Sequence, residues 1–183
     1  MPGIRSKRTH SGVRCGIGCL WGMVLMNNKP WKTYALYILG VEAVGALSGF
    51  LTREGAQIYS QAIAKPPLSP PAIVFPIVWS ILFLLMGISA ARIDLAPVSA
   101  ARSQSLMLFF LQLAFNFFWS IIFFNLQRFG FAFVWLMALW VLIGLMILSF
   151  RKVDPLAAWL QVPYFLWVTF AAYLNFGVWW LNR

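Results

Sequence analysis

Five apolar runs of about twenty residues set the limits on what this chain can fold into. They cover roughly Thr33–Leu51, Pro71–Ala91, Ser105–Leu126, Gly130–Phe150 and Leu156–Leu181. An α-helix needs about twenty apolar residues to cross the hydrocarbon of a bilayer. A backbone in hydrocarbon must also satisfy its own hydrogen bonds, which leaves helices and closed barrels. The runs are unbroken and lack the alternation of barrel strands. The expected fold is therefore all-α: an integral membrane bundle of five transmembrane helices in one domain, over residues 31–183. Charge supports this reading. Only 10% of the residues are charged while 62% are hydrophobic, against about a quarter charged in soluble domains.

The net charge of +10 would suggest nucleic acid in a soluble protein. Here Lys and Arg fall almost wholly between the apolar runs, as in membrane proteins that keep positive loops on one side. With no basic, aromatic-interleaved soluble face, nucleic acid is excluded as a partner; the lipid bilayer is the expected one. Counting Lys and Arg by side gives ten with the N-terminus and four opposite. The N-terminus is expected inside, although without residues 1–25 the count narrows to six against four.

Residues 1–30 are expected to be a basic, disordered extension. The Ile17–Met26 patch is too short to span and is interrupted by glycine, and Met26 reads like a start before the first helix. Cys15 and Cys19 have only His10 nearby, so they read as incidental thiols and not as a metal site. The absence of a Ser-His-Asp set, a phosphate loop and paired carboxylates on one helix face removes the usual hydrolytic and phosphoryl-transfer chemistries.

What remains is a stiff entrance and a set of inward faces. Pro66, Pro67, Pro70 and Pro71 hold Lys65–Pro71 extended. The second span follows, with Pro76 placed to kink it and Pro76, Trp79, Phe83 and Met86 on one face. In the third span Gln112, Asn116, Trp119 or Ser120, and Phe123 share a face that must point into the bundle. In the fifth, Tyr164, Trp167, Ala171 and Asn175 do the same, just after Pro163, which is expected to kink the helix. The fourth span carries Trp135 and Trp140 and reads as lipid-facing support. In the first, Gly40, Gly45 and Gly49 are expected to admit a neighbouring helix. Glu42 is either a functional carboxyl or a neutral group bonded to another helix. Thr52–Pro71 is the longest gap between spans, a length typical of lids and binding loops. Ten tryptophans suit either helix packing or an aromatic slot for a flat apolar ligand.

Three blocks carry a resemblance. The first runs Lys65-Pro66-x-x-x-Pro70-Pro71-x-x-x-Phe75-Pro76-x-x-Trp79 and on to Met86-Gly87. The second is Leu113-Ala114-x-Asn116-x-x-Trp119-Ser120-x-x-Phe123-Phe124, then Gln127. The third is Pro163-Tyr164-x-x-Trp167-Val168-x-Phe170-Ala171-x-x-Leu174-Asn175. Over roughly Gly40–Asn175 the chain resembles the tryptophan-rich sensory protein family, also called translocator protein or peripheral-type benzodiazepine receptor. The resemblance implies a five-helix bundle, commonly a homodimer, in a bacterial cell membrane. It implies no obligatory cofactor, and a porphyrin-type tetrapyrrole as ligand, sensed or regulated. Ligand contacts are implied for Trp79, Asn116, Trp119, Tyr164, Trp167 and Ala171, with Pro70 and Phe75 at the entrance. Transport of porphyrins or sterol-like ligands is an alternative. So is light-dependent porphyrin breakdown, for which Trp79 and Trp167 are the catalytic candidates. Two departures stand out. Tyr59-Ser60 replaces the Trp-Tyr common before the Lys-Pro. Tyr173 has no basic residue before Arg183, so the sterol pattern of the last helix is not expected.

Overall fold

The structure, a computed structural model, describes residues 30–183. The N-terminal extension with His10, Cys15 and Cys19 lies outside the described residues. Six helices build the bundle: α1 Pro30–Ala62, α2 Val74–Leu95, α3 Ala100–Ser120, α4 Phe129–Val153, α5 Pro155–Trp159 and α6 Val162–Leu181. A π-helical turn, Ile121–Asn125, continues α3, and α5 with α6 makes up the fifth span. All five expected spans are present as helices long and apolar enough to cross a membrane, and the described residues contain no strand.

The first helix is the largest departure from expectation. It does not stop near Leu51 but runs on for three more turns to Ala62. Hydropathy falls at Thr52 while helix propensity does not, because Arg, Glu, Ala and Gln are all good helix formers. At 33 residues α1 is about 50 Å long, well beyond a hydrocarbon core of about 30 Å. The expected long loop therefore shrinks to residues 63–73. The second helix starts later than expected, at Val74, because Pro70 and Pro71 hold the chain out; Val74 N donates to Pro71 O at 3.0 Å to open the turn. Pro76 is then the third helical residue. The first four N–H groups of a helix have no partner inside it, so Pro76 removes no bond there. The fifth span breaks at Leu160–Gln161, and Pro163 falls in the first turn of α6.

Polar side chains fix the helix ends. Ser99 caps α3, its Oγ accepting from Arg102 N at 3.2 Å. Asp154 caps α5 by accepting from Leu156 N and Ala157 N at 2.9 and 3.1 Å. The same carboxylate pairs with Arg92 at 2.7 Å, and Asp94 pairs with Arg102. These ion pairs clamp one end of the bundle, where the α2–α3 and α4–α5 connections meet.

The helices pair as α1 on α2, α3 on α4 and α4 on α6, and the π-turn leans on α1. The core sits along α4, whose Leu136, Leu139, Ile143 and Met146 are buried at successive turns. Only the opposite face of α4, with Val134, Val141 and Leu148, is exposed, so this span is more than lipid-facing support. Ser105 and Ser149 join α3 to α4 at 2.8 Å, and Ser89 Oγ donates to Ala157 O at 2.7 Å. Close backbone approach between α1 and α2 falls at a different glycine from those expected. A Cβ on Gly87 would lie 2.6 Å from Ile38 Cα. A Cβ on Gly40 or Gly49 would meet nothing within 4 Å, and Gly45 faces the ring of Phe83.

Candidate functional site

The open space beside Gly49 belongs to a cavity of about 520 Å³, walled by α1, α2, α3 with its π-turn, and α6. The α1 wall is a stripe of small side chains, Gly45, Ala46, Ser48, Gly49, Thr52 and Ala56, with Glu42 at one end and Tyr59 at the other. Residues three and four apart share a helix face, and side chains this small leave volume where larger ones would fill it.

The opposite walls are aromatic. Phe75, Trp79 and Phe83 come from α2, Trp119, Phe123 and Phe124 from α3 and the π-turn, and Trp167 from α6. Trp79 packs on Phe83 at 5.4 Å between ring centroids, and Phe75 sits edge-on to Trp167 at 5.9 Å. Trp119 stacks on Phe123 at 5.2 Å. The π-turn matters here. It adds a residue to the turn and brings both Phe123 and Phe124 against Tyr59.

Behind the aromatic wall the amides are bonded to other helices. Asn116 Nδ2 donates to Tyr164 Oη at 2.9 Å, and that hydroxyl donates to Gln112 Oε1 at 3.0 Å. Trp119 Nε1 donates to Asn175 Oδ1 at 3.2 Å, while Asn175 Nδ2 donates to Phe129 O at 2.9 Å. These bonds tie α3 to α6 and α6 to the start of α4. One N–H of each amide is spent on the bundle, and Asn116 Oδ1, with the Ser80 and Ser120 hydroxyls, is what these walls can offer a ligand.

The entrance is a pinned rim. Pro66 is buried against Gly177, where a Cβ would lie 2.6 Å away. Tyr173 Oη donates to Pro67 O at 2.9 Å, and Asn182 holds Ala64 through both its N–H and its carbonyl. Lys65 Nζ donates to Ser60 O at 2.6 Å and lies 5.3 Å from the centre of the Tyr59 ring. The chain then turns through Leu68, whose φ of 66° is left-handed, before Ser69 and Pro70 reach the cavity edge.

Of the residues expected in the site, Pro70, Phe75, Trp79, Asn116, Trp119, Trp167 and Ala171 all line this one cavity. Tyr164 does not. It is fully buried beneath, edge-on to Trp79 at 6.1 Å, and hydrogen-bonded to Asn116. The tryptophans divide between the two roles that composition left open. Trp79, Trp119 and Trp167 face the cavity, whereas Trp135 Nε1 bonds Phe115 O and Trp140 Nε1 bonds Thr169 Oγ1 between helices. The α1 stripe is what sequence reasoning missed. Its signal was present in the small residues at helical spacing from Gly45 to Ala56, which read as a helix-packing surface. Among the described residues no group of three His, Cys, Asp or Glu could hold a metal ion.

Residues 37–181 match the family model described as the TspO/MBR family. The chain belongs to the TspO/MBR family. It is 38% identical over 156 residues to the tryptophan-rich protein TspO of Chlorobaculum tepidum, covering 85% of this chain and 99% of that one. It is 33% identical to the tryptophan-rich sensory protein of Cereibacter sphaeroides, covering 85% and 94%. It is also 32% identical to the translocator protein of Ovis aries, covering 84% and 92%. The match to the TspO/MBR family takes in every wall of the cavity and reaches into all five membrane spans.

Proposed function

We propose that this protein binds a porphyrin-type tetrapyrrole in the cavity between α1, α2, α3 and α6, and acts in the membrane as a sensor or regulator of tetrapyrrole state. The observation that supports this most strongly is the shape and chemistry of the space. A cavity of about 520 Å³ has an aromatic wall facing a stripe of small residues. Small-molecule pockets run from about 300 to 1,000 Å³ and combine apolar walls with a few placed polar groups. A flat ring entering past Pro70 and Phe75 would lie against the α1 stripe and meet Trp79 and Trp167. Asn116 Oδ1, oriented by the Tyr164–Gln112 relay, would supply a directional contact. The names of the relatives, a sensory protein and a translocator, agree with a ligand-binding membrane role.

The test is a titration of the purified protein with protoporphyrin, followed by tryptophan fluorescence. Saturable quenching is expected, because two cavity tryptophans would lie in contact with the ring. Trp167→Phe should lower both the quenching amplitude and the affinity, the latter by about tenfold if one aromatic contact of about 1.4 kcal/mol is lost. No quenching, or quenching unchanged in Trp167→Phe and Trp79→Phe, would remove this reading.

A further inference from the structure

The cavity contains one feature that the tetrapyrrole reading leaves unused. Glu42 lines it from α1, twelve residues into the helix and about 18 Å from its start, within the apolar part of the span. Among the described residues no ion pair or hydrogen bond reaches its carboxyl group. A carboxylate at membrane depth is costly unless something positive or hydrogen-bonding answers it. The facing wall supplies no positive charge. There the Asn116, Trp119 and Asn175 donors are engaged with Tyr164, Asn175 and Phe129, and the Trp79, Trp167, Ser80 and Ser120 side chains that also line the cavity are neutral. Lys65, the only cation in the lining among the described residues, lies at the far end. It is anchored to Ser60 O, and Ser60 is eighteen residues, or about 27 Å, along α1 from Glu42.

The immediate surroundings of Glu42 suit a particular kind of partner. One turn further along α1, Gly45 lets the Phe83 ring approach so closely that a Cβ there would sit 2.2 Å from Phe83 Cε2. Trp79 packs against that ring at 5.4 Å. An intramembrane carboxyl and an aromatic pair therefore line one cavity, with the Phe83 ring packed on α1 one turn from Glu42. Aromatic faces attract cations through the ring quadrupole, most strongly where water is excluded. A carboxylate supplies the full counter-charge. We propose that Glu42, with Phe83 and Trp79, forms a recognition site for lipophilic organic cations, molecules whose positive charge is spread over or shielded by apolar groups. Such a ligand can enter an apolar cavity without losing a tight hydration shell, and it supplies the charge partner that the helices do not. This assignment does not depend on tetrapyrrole binding.

The decisive experiment uses two ions of nearly the same shape and opposite charge. Tetraphenylphosphonium and tetraphenylborate are titrated in separate calorimetric runs into the purified full chain, the Glu42→Gln variant and the Glu42→Asp variant. Saturable phosphonium binding to wild type is expected, with tetraphenylborate binding at least about tenfold more weakly. Glu42→Gln should lose about tenfold in phosphonium affinity, and Glu42→Asp, which keeps the charge, should stay within about threefold of wild type. The proposal is overturned if wild type binds no phosphonium, binds the borate equally well, or loses nothing in Glu42→Gln. The comparison of the two ions on wild type needs no variant, so a folding defect in Glu42→Gln would not shield the proposal.

Discussion

Helices α1 and α4 are both long apolar spans, yet they do opposite jobs. In α4, eight of 25 residues are buried, and Leu136, Leu139, Ile143 and Met146 are almost wholly removed from the surface. In α1 only four of 33 residues are buried, and three of those, Ser48, Thr52 and Gly55, are small. The inward face of α4 is filled with branched and thioether side chains that interlock with α3 and α6. The inward face of α1 is nearly empty of side-chain volume, and the space left over is the cavity. The bundle is therefore a packed half, α3–α4–α6 with the buried face of α2, carrying a thin wall. Stability should be concentrated in the first and ligand contact in the second.

The contrast can be broken most forcefully in the packed half. Leu139→Ala leaves a void among neighbours that are already interlocked and should cost about 2–5 kcal/mol. Leu47→Ala, on the half-exposed surface of α1, should change stability by no more than about 0.5 kcal/mol. Thermal melting of the purified variants in one detergent measures both. Equal losses would mean that α1 is as much a part of the core as α4.

A smaller effect separates two glycines that look alike in sequence. Gly87→Ala forces a methyl group to 2.6 Å from Ile38 Cα and should destabilise by about 1–3 kcal/mol, since backbone cannot rotate out of the way. Gly49→Ala meets open space and should be close to neutral. Smaller again is Tyr164→Phe, which removes the hydroxyl between Asn116 and Gln112. Side-chain hydrogen bonds between membrane helices average about 0.6 kcal/mol and reach about 1.7. The expected melting shift is correspondingly modest, but the variant should weaken ligand binding as well, because Asn116 loses the partner that orients it. A variant that binds as wild type does would show that Asn116 is positioned without Tyr164.

The two halves also differ in how far they could be read from the chain alone. The packed half was legible because its signals are strong: long apolar runs, and amides such as Gln112, Asn116 and Asn175 that hydrocarbon will not tolerate unpaired. The eight expected site residues came from the resemblance carried by three motif blocks; seven of them line one cavity, and Tyr164 is buried beneath it. The thin wall was harder. Hydropathy drops at Thr52 although the helix continues to Ala62, so the wall looked like a loop. Gly45 does admit the Phe83 ring of the neighbouring helix, but Gly49, read in the same way, faces open space, since small residues mark close approach and empty space equally well. Which of the two applies depends on what lies opposite, and that is set by the tertiary arrangement. The π-turn at Ile121–Asn125 has no sequence signature comparable to a proline or a cap, yet it brings Phe123 and Phe124 to the cavity.

The central claim is that the emptiness of the α1 wall is functional space. Filling it tests that directly. Protoporphyrin titration of Gly49→Phe, monitored by tryptophan fluorescence and run beside a melting curve, should show binding weakened by more than about tenfold with stability close to wild type. Unchanged affinity in a variant that melts as wild type does would place the ligand elsewhere and contradict the account.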